Sequence, residues 1–207
     1  MKRLVDILIA SIALILLSPI FFIVAYKVRK NLGSPIFFYQ ERPGKNGKLF
    51  RMMKFRSMKD AFDKEGNLLP DEQRITPFGH KLRSTTLDEM PQLINVLKGD
   101  MSIVGPRPQL SEFVEHYTPH QMRRHEVRPG MTGLAQVSGR NNLSWEEKFD
   151  LDVEYVDTHS MLLDFKIMLK TVEVMLKKEG INAPNQAVGA ARFSSNEPSE
   201  VKSSSRH

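Results

Sequence analysis

A stretch of 20 residues without a single charged side chain, residues 7–26, lies near the beginning of the chain. This is about the length that a helix needs to cross the hydrocarbon core of a bilayer. Ser18 and Pro19 stand near the middle of this apolar run. A proline at that place is compatible with a kinked spanning helix. It is equally compatible with a helix–break–helix that enters one leaflet and returns.

Basic residues flank the apolar run on both sides. Lys2 and Arg3 precede it, and Lys27, Arg29 and Lys30 follow it. Because basic residues favour the cytoplasmic side of a membrane, both ends of the segment are expected on that side. The charge pattern therefore favours re-entry over crossing.

The Ser18-Pro19 pair has a defined consequence for the backbone. Pro19 lacks the N–H group that would reach the carbonyl of Ile15, and the hydroxyl of Ser18 can serve a freed backbone group. A helix over residues 4–17 would be roughly 21 Å long, which is short for a core of roughly 30 Å. From these residues alone, the spanning and the re-entrant interpretations both remain open.

Composition limits the class of protein. The chain has 207 residues, a formal net charge of +6 and no cysteine. That length suits one compact domain with an appendage, and the charge predicts an anionic partner such as a phosphorylated small molecule, acidic lipid or nucleic acid. The aromatic residues fall mainly at core positions or in the apolar run, which argues against nucleic acid. Disulfides and thiolate metal sites are excluded.

Local patterns predict a small β-hairpin and several helices. Residues 36–41 and 48–55 have strand character, with a Pro/Gly/Asn turn at residues 43–47 between them. The segments Thr86-Leu-Asp-Glu and Ser144-Trp-Glu-Glu have the form of capping boxes, and each predicts the beginning of a helix.

Residues 161–178 form a strongly amphipathic pattern. One side carries Leu162, Phe165, Leu169, Val172 and Leu176, and the other carries lysines and a glutamate. Such a helix either packs on the domain or lies on the membrane surface. Beyond it, residues 181–207 are rich in Ser, Asn and Pro and are expected to form a disordered tail.

Two adjacent carboxylates, Asp88 and Glu89, are the first candidates for chemistry. At a helix N-terminus, free N–H groups and the helix dipole keep such carboxylates ionised, as a nucleophile or a magnesium ligand requires. Arg83, one turn upstream, could clamp a phosphate. The competing interpretation is that both acids merely cap the helix.

Further cations occupy rigid loops. They are Arg107 between two prolines, Arg128 before Pro-Gly, and Arg140 in a Gly/Asn loop, with Lys54 at the end of the hairpin. A single arginine in a turn is usually a solvated charge, but several in Pro/Gly loops indicate an anion site.

The segment Asp150-Leu-Asp152 matches the Asp-x-Asp signature of metal-dependent glycosyltransferases. It lies within a predicted helix beside core positions, which argues against a metal site. The chain has no phosphate-binding Gly-x-x-x-x-Gly-Lys loop and no dinucleotide-binding Gly-x-Gly-x-x-Gly motif. Nucleotide-binding folds of those types are therefore not expected.

Five motifs together resemble one family, the monotopic phosphoglycosyl transferases of the bacterial sugar transferase type. The resemblance extends from the apolar segment to about residue 180. The motifs are Lys54-Phe-Arg-Ser-Met58, Leu82-Arg-Ser-Thr-Thr-Leu-Asp-Glu89, the stretch from Asn95 to Pro108, Arg128-Pro-Gly-Met-Thr-Gly133 and Ser138-Gly-Arg-Asn141. The chain has Leu134 where related sequences often have Trp, so a contact through that indole is not carried over.

The resemblance implies transfer of a sugar phosphate from a UDP-sugar to polyprenyl phosphate, with release of UMP. Asp88 would form a covalent phosphosugar intermediate, and Mg²⁺ would be held by Asp88 and Glu89. The phosphate groups would be bound by the cations named above: Lys54, Arg83, Arg107, Arg128 and Arg140. The location implied is the cytoplasmic face of the bacterial inner membrane.

The fold implied is α/β-associated, with a re-entrant helix broken at Ser18 and Pro19, a small β-hairpin, and surface and amphipathic helices. We expect a membrane segment at residues 1–32, a catalytic domain at 33–180 and the tail at 181–207. Two other functions remain as alternatives. One is a glycosyltransferase that releases UDP through Asp150 and Asp152, and the other is a non-catalytic, membrane-anchored basic protein. The sequence does not indicate which sugar is transferred.

Overall fold

The computed structural model describes residues 1–139 and 143–177, apart from the side chain of Leu176. Its architecture mixes helices with two small sheets. The elements, in chain order, are α1 (Lys2–Leu32), β1 (Phe37–Pro43), β2 (Leu49–Phe55), α2 (Asp71–Arg74), α3 (Pro77–Ser84), α4 (Gln92–Lys98), β3 (Ser102–Val104), α5 (Pro119–Met122), β4 (Gly130–Thr132), α6 (Leu134–Ser138), α7 (Trp145–Thr158) and α8 (Met161–Lys177). The predicted tail and Arg140 lie outside the described residues.

The predicted hairpin is confirmed. Strands β1 and β2 pair antiparallel, from Phe37 opposite Phe55 to Pro43 opposite Leu49. The rings of Phe37 and Phe55 stack with centroids 5.4 Å apart, and Phe55 belongs to a buried cluster with Val24, Val28 and other apolar residues. The hairpin therefore packs its apolar face against helix α1.

A second sheet was not fully anticipated from the sequence. Strands β3 and β4 pair in parallel, although the Pro-Gly sequence after Arg128 predicts a rigid loop there. The backbones of the two strands approach each other closely because Gly105 and Gly130 lie where they meet. A Cβ atom on Gly130 would lie 2.1 Å from the backbone nitrogen of Gly105 and 2.4 Å from the carbonyl oxygen of Thr132.

We expect Gly130→Ala to lower the free energy of unfolding by roughly 2 kcal/mol or more, because the added methyl meets rigid backbone on two sides. The measurement is thermal unfolding of the detergent-solubilised protein. The control is Gly66→Asn, where a Cβ meets nothing within 4 Å and asparagine tolerates the positive φ of 85°. Equal unfolding temperatures for the two variants would contradict this close approach of the two backbones.

Helix α1 is continuous through Ser18 and Pro19, which corrects the predicted break between two helices. The reason is visible in the side chain of Ser18. Its hydroxyl donates a 2.8 Å hydrogen bond to the carbonyl of Ile15, the acceptor for which Pro19 has no N–H. One lost backbone bond is thus replaced locally, and the helix continues to Leu32.

Both ends of α1 are held on the rest of the domain by polar contacts. Near its N-terminus, Asp6 is buried and accepts hydrogen bonds from the hydroxyl of Ser102 and the backbone nitrogen of Ile103. At its C-terminus, the guanidinium of Arg56 donates to the carbonyl of Leu32 at 2.8 Å. Between them, Ala10 and Val24 lie in two buried apolar clusters. The helix therefore lies along the domain and does not project from it.

The opposite face of α1 is apolar and exposed. Leu4, Leu8, Ile15, Leu16, Phe22, Ile23 and Tyr26 are each more than half exposed. Within the described residues, α1 is the one helix that is long and apolar enough to cross a membrane. An apolar surface of this size indicates contact with another apolar phase.

Helix α8 also presents an apolar stripe outward. Leu162, Phe165, Leu169 and Val172 are each more than half exposed, whereas Ile167 is buried against the domain. The side predicted from the sequence to be apolar is therefore not the side that packs. Helix α8 therefore packs on the domain, but not through these four residues.

Candidate active site

Asp88 and Glu89 lie in the connection between α3 and α4. Thr86 has a left-handed conformation with φ of 59°, and residues Leu87–Glu89 form one 3₁₀ turn before α4 begins at Gln92. The predicted capping box is wrong, because the side chain of Thr86 makes no capping hydrogen bond; its carbonyl accepts from the backbone nitrogen of Glu89 at 3.1 Å. Both carboxylates are nonetheless buried, with Asp88 7% and Glu89 8% exposed.

Two cations hold Glu89. Lys54 donates to its Oε1 at 2.8 Å, and Arg107 donates through Nη2 to the same oxygen at 2.6 Å. Burial alone would raise the pKa of Glu89, but the charges and hydrogen bonds of Arg107 and Lys54 outweigh burial and hold that pKa well below the ordinary range. Glu89 is therefore an ionised anchor for two cations.

Asp88 has the opposite character. Burial, together with the neighbouring charge of Glu89, raises its pKa to about 6, against the opposing charges of Lys54, Arg83 and Arg107. Among the described residues, no group donates a hydrogen bond to its carboxylate. Asp88 is thus a desolvated carboxylate that still ionises at neutral pH, which suits a nucleophile.

Of the other predicted cations, Arg83 lies beside this pair and Arg128 does not. The Nε of Arg83 donates to the hydroxyl of Ser57 at 2.9 Å, and the charge of Arg83 acts on Asp88. The Nε of Arg128 donates instead to the carbonyl of Gly99 at 2.8 Å, beyond the C-terminus of α4. Arg140 lies outside the described residues, so its predicted role stays a prediction.

The Asp-x-Asp segment is not arranged as a metal site. Asp152 is buried and accepts a 2.6 Å hydrogen bond from Arg124, whereas Asp150 is exposed and lies 3.4 Å from His120. Among the described residues there is also no group of three or more acidic or histidine side chains that could hold a metal ion. The structure therefore argues against a metal site at Asp150 and Asp152.

Sequence reasoning missed Arg124, which is among the most buried charged residues of the described chain. It lies in the run Arg123-Arg-His-Glu, which has the composition of a solvated turn. Nothing in that run distinguishes the buried Arg124 from Arg123, which is only partly buried. The missed group is important because the guanidinium of Arg124 contacts the backbone of Arg107.

The Asp88–Glu89 pair fits a magnesium ion only as part of a larger set. Magnesium typically takes one or two protein carboxylates and completes its shell with water and substrate phosphate oxygens. Two adjacent carboxylates are such a partial set, and Glu89 already has cationic partners. The residues therefore fit an ion that takes its remaining ligands from water or from a bound phosphate group better than one held by the protein alone.

The chain is a member of the bacterial sugar transferase family, whose model matches residues 1–178. It is 52% identical over 193 residues to an uncharacterized sugar transferase, EpsL, of Bacillus subtilis, with 93% of this chain and 95% of that protein covered.

Two further relatives are longer proteins. The chain is 41% identical over 181 residues to the UDP-glucose:undecaprenyl-phosphate glucose-1-phosphate transferase of Klebsiella pneumoniae, covering 83% of this chain and 39% of that protein. It is 39% identical over 198 residues to the undecaprenyl-phosphate galactose phosphotransferase of Salmonella typhimurium, covering 87% of this chain and 41% of the relative. The chain thus spans less than half of these two proteins.

Proposed function

We propose that this protein transfers a sugar 1-phosphate from a UDP-sugar to polyprenyl phosphate and releases UMP. The observation that carries the proposal is the environment of Asp88: a buried carboxylate with a pKa of about 6, surrounded by the charges of Lys54, Arg83 and Arg107. A transferase that binds two phosphorylated substrates needs a cationic site of this kind. The activities for which the Klebsiella and Salmonella relatives are named support the same reaction.

The reaction would proceed by two displacements at one phosphorus atom. An oxygen of the Asp88 carboxylate attacks the sugar-bearing phosphorus, the bond from that phosphorus to the bridging oxygen breaks, and UMP leaves with the electron pair. An oxygen of polyprenyl phosphate then attacks the same phosphorus. The bond to Asp88 breaks, the product is polyprenyl diphosphosugar, and the carboxylate is regenerated.

The remaining residues would bind and orient. Lys54 and Arg107, which Glu89 holds in place, are positioned to bind the phosphates of the donor, and Arg83 adds a third cation. Held by Asp88 and Glu89, Mg²⁺ would neutralise diphosphate charge and favour departure of UMP. Arg128 and Arg140 remain further candidates for phosphate binding.

The nucleotide product tests this proposal. Purified protein with Mg²⁺, undecaprenyl phosphate and each of several UDP-sugars, UDP-glucose and UDP-galactose included, is expected to release UMP with one of them. Release of UDP would indicate transfer of sugar without phosphate. Release of neither nucleotide across the panel would favour a non-catalytic membrane-anchored protein.

We further propose that α1, although unbroken, is re-entrant in its topology: it enters one leaflet only, and both of its ends lie on the cytoplasmic face of the inner membrane. Contacts at Asp6 and Leu32, near its two ends, are made to one and the same domain. A spanning helix places its ends on opposite sides of roughly 30 Å of hydrocarbon. With α1 placed in one leaflet, its exposed apolar face and the outward apolar stripe of α8 would both face lipid, and UDP-sugar would reach the site from the cytosol.

Single cysteines can test this topology, because the chain has none of its own. In intact cells, Lys2→Cys and Lys30→Cys are both expected to be protected from a membrane-impermeant thiol reagent, and both should react after permeabilisation. Asn67→Cys, in an exposed loop of the domain, is the control for a cytosolic position. Labelling of one of the two end positions in intact cells would establish a spanning helix instead.

A further inference from the structure

We propose that Arg124, with Asp152 as its buried counter-ion, is a positioning residue that fixes the backbone of Arg107. The inference rests on the proposed function, since it concerns how a phosphate-binding arginine is held. Arg124 touches none of the reacting groups itself. It acts through the loop Pro106-Arg107-Pro108.

The contacts of Arg124 converge on that loop. Its Nη2 donates to the carbonyl of Arg107 at 2.7 Å and to Oδ2 of Asp152 at 2.6 Å, and its Nη1 donates to the hydroxyl of Tyr117 at 2.9 Å. The guanidinium carbon also lies 5.1 Å from the ring centroid of Phe149. With Arg124 2% and Asp152 3% exposed, the ion pair is almost completely removed from water.

The loop needs external support because of its sequence. Pro106 and Pro108 have no backbone N–H, so their carbonyls are the backbone groups through which they can be hydrogen-bonded. The carbonyl of Pro106 accepts from the nitrogen of Gly130 at 2.9 Å, and that of Arg107 accepts from Arg124. The two contacts fix the backbone on either side of the Arg107 peptide unit, while its guanidinium reaches Glu89.

The chemistry of the Arg124–Asp152 ion pair indicates that the pair positions the loop and does not mainly stabilise the fold. Removing two charges from water is costly, and apolar residues of similar volume often replace a buried ion pair at no cost in stability. An apolar pair could fill the same space, but it could not donate to the Arg107 carbonyl. The function that requires a guanidinium at position 124 is therefore the hydrogen bond to the loop.

The test replaces the pair by apolar residues. The double variant Arg124→Met/Asp152→Leu is expected to fold, with an unfolding temperature lower by several degrees at most, because the Arg107 carbonyl and the Tyr117 hydroxyl lose a hydrogen-bond donor. We expect kcat/KM for UMP release to fall by roughly 10- to 100-fold, as is typical when the support of a functional side chain is lost. The matched control is Arg123→Gln/Asp157→Asn, which removes an exposed ion pair between the same two segments and should leave the rate unchanged.

A mutant cycle with Arg107→Ala separates positioning from a general structural role. If Arg124 acts through Arg107, adding the apolar pair to Arg107→Ala should lower the rate by less than about threefold further. A multiplicative loss would overturn the inference, as would a native rate in the apolar-pair variant. If that variant does not fold, Arg124→Lys, which keeps the charge but cannot reach all three partners, takes its place in the same cycle.

Different results would overturn the role of Arg124 and the proposed function. If the native protein releases UMP and the apolar-pair variant releases it at the same rate, the proposed role of Arg124 is overturned and the proposed function is not. Native protein that releases no UMP with any UDP-sugar would overturn the proposed function, and the role of Arg124 with it.

Discussion

Asp88→Asn is expected to reduce UMP release by roughly 1,000-fold or more, because the amide has no charge with which to attack phosphorus and form the intermediate. The substitution keeps the shape of the side chain, so the geometry of Lys54, Arg83 and Arg107 around it should persist. The measurement is the initial rate of UMP release at neutral pH. Asp71→Asn, on the exposed helix α2, is the matched control and should retain the native rate.

The same variant should not be less stable, which separates loss of chemistry from loss of fold. In the unfolded chain an aspartate ionises near pH 3.9, whereas burial and Glu89 raise the pKa of Asp88 to about 6. At pH 7 Asp88 is ionised in both states, and its charge is less favourable in the folded state than in the unfolded chain. Removing the charge should therefore raise the free energy of unfolding at pH 7, by up to about 3 kcal/mol. An inactive variant with a lower unfolding temperature would contradict this explanation.

Glu89→Gln is expected to lower the rate roughly 100-fold and to move the acid side of the pH profile downward. The rate falls because Lys54 and Arg107 lose the charge that holds them, and small displacements of binding groups have effects of this size. The pH shift follows from Asp88, which must be ionised to react. Glu89 is the second cause of its raised pKa, after burial, so removing that charge lowers the pKa.

Rates between pH 5 and pH 8 measure the second effect. The native protein should lose activity as the pH falls through about 6, and Glu89→Gln should reach half of its own maximum at a lower pH. Glu65→Gln, in an exposed loop, should follow the native profile. A profile for Glu89→Gln displaced upward would show that Glu89 does not raise the pKa of Asp88.

Local patterns were enough to predict much of the fold. Alternation and a Pro/Gly turn predicted the hairpin, and the second capping box, at Ser144, is confirmed at the beginning of α7. These features depend on residues close together in the sequence. The proposed serine contact at the apolar helix is confirmed for the same reason, since Ser18 and Ile15 lie within one turn.

Predictions that depended on long-range packing were less successful. The break at Pro19 failed because one hydroxyl and the packed face of α1 keep the helix continuous. Thr86 does not cap a helix, because the chain adopts a left-handed conformation there and turns Asp88 and Glu89 into the interior. A motif of four residues cannot specify such a turn when the burial comes from segments distant in sequence.

The sequence predicted both acids of the candidate site and some of its cations. The structure brings Lys54, Arg83 and Arg107 close enough for their charges to act on Asp88, while their predicted binding of phosphate stays a prediction. Arg128 hydrogen-bonds the backbone after α4 instead, and Arg124 was missed because burial depends on the fold and not on the turn-like sequence around it. The sequence thus indicated three cations that lie near the carboxylates, but not the buried arginine that contacts the backbone of one of them.

Mass spectrometry of the protein mixed with its UDP-sugar, in the absence of polyprenyl phosphate, tests the central claim most directly. We expect a mass increase of one sugar phosphate, located on the peptide that contains Asp88, absent from Asp88→Asn and lost when undecaprenyl phosphate is added. An adduct on another residue, or an enzyme that turns over without any adduct, would contradict covalent transfer through Asp88.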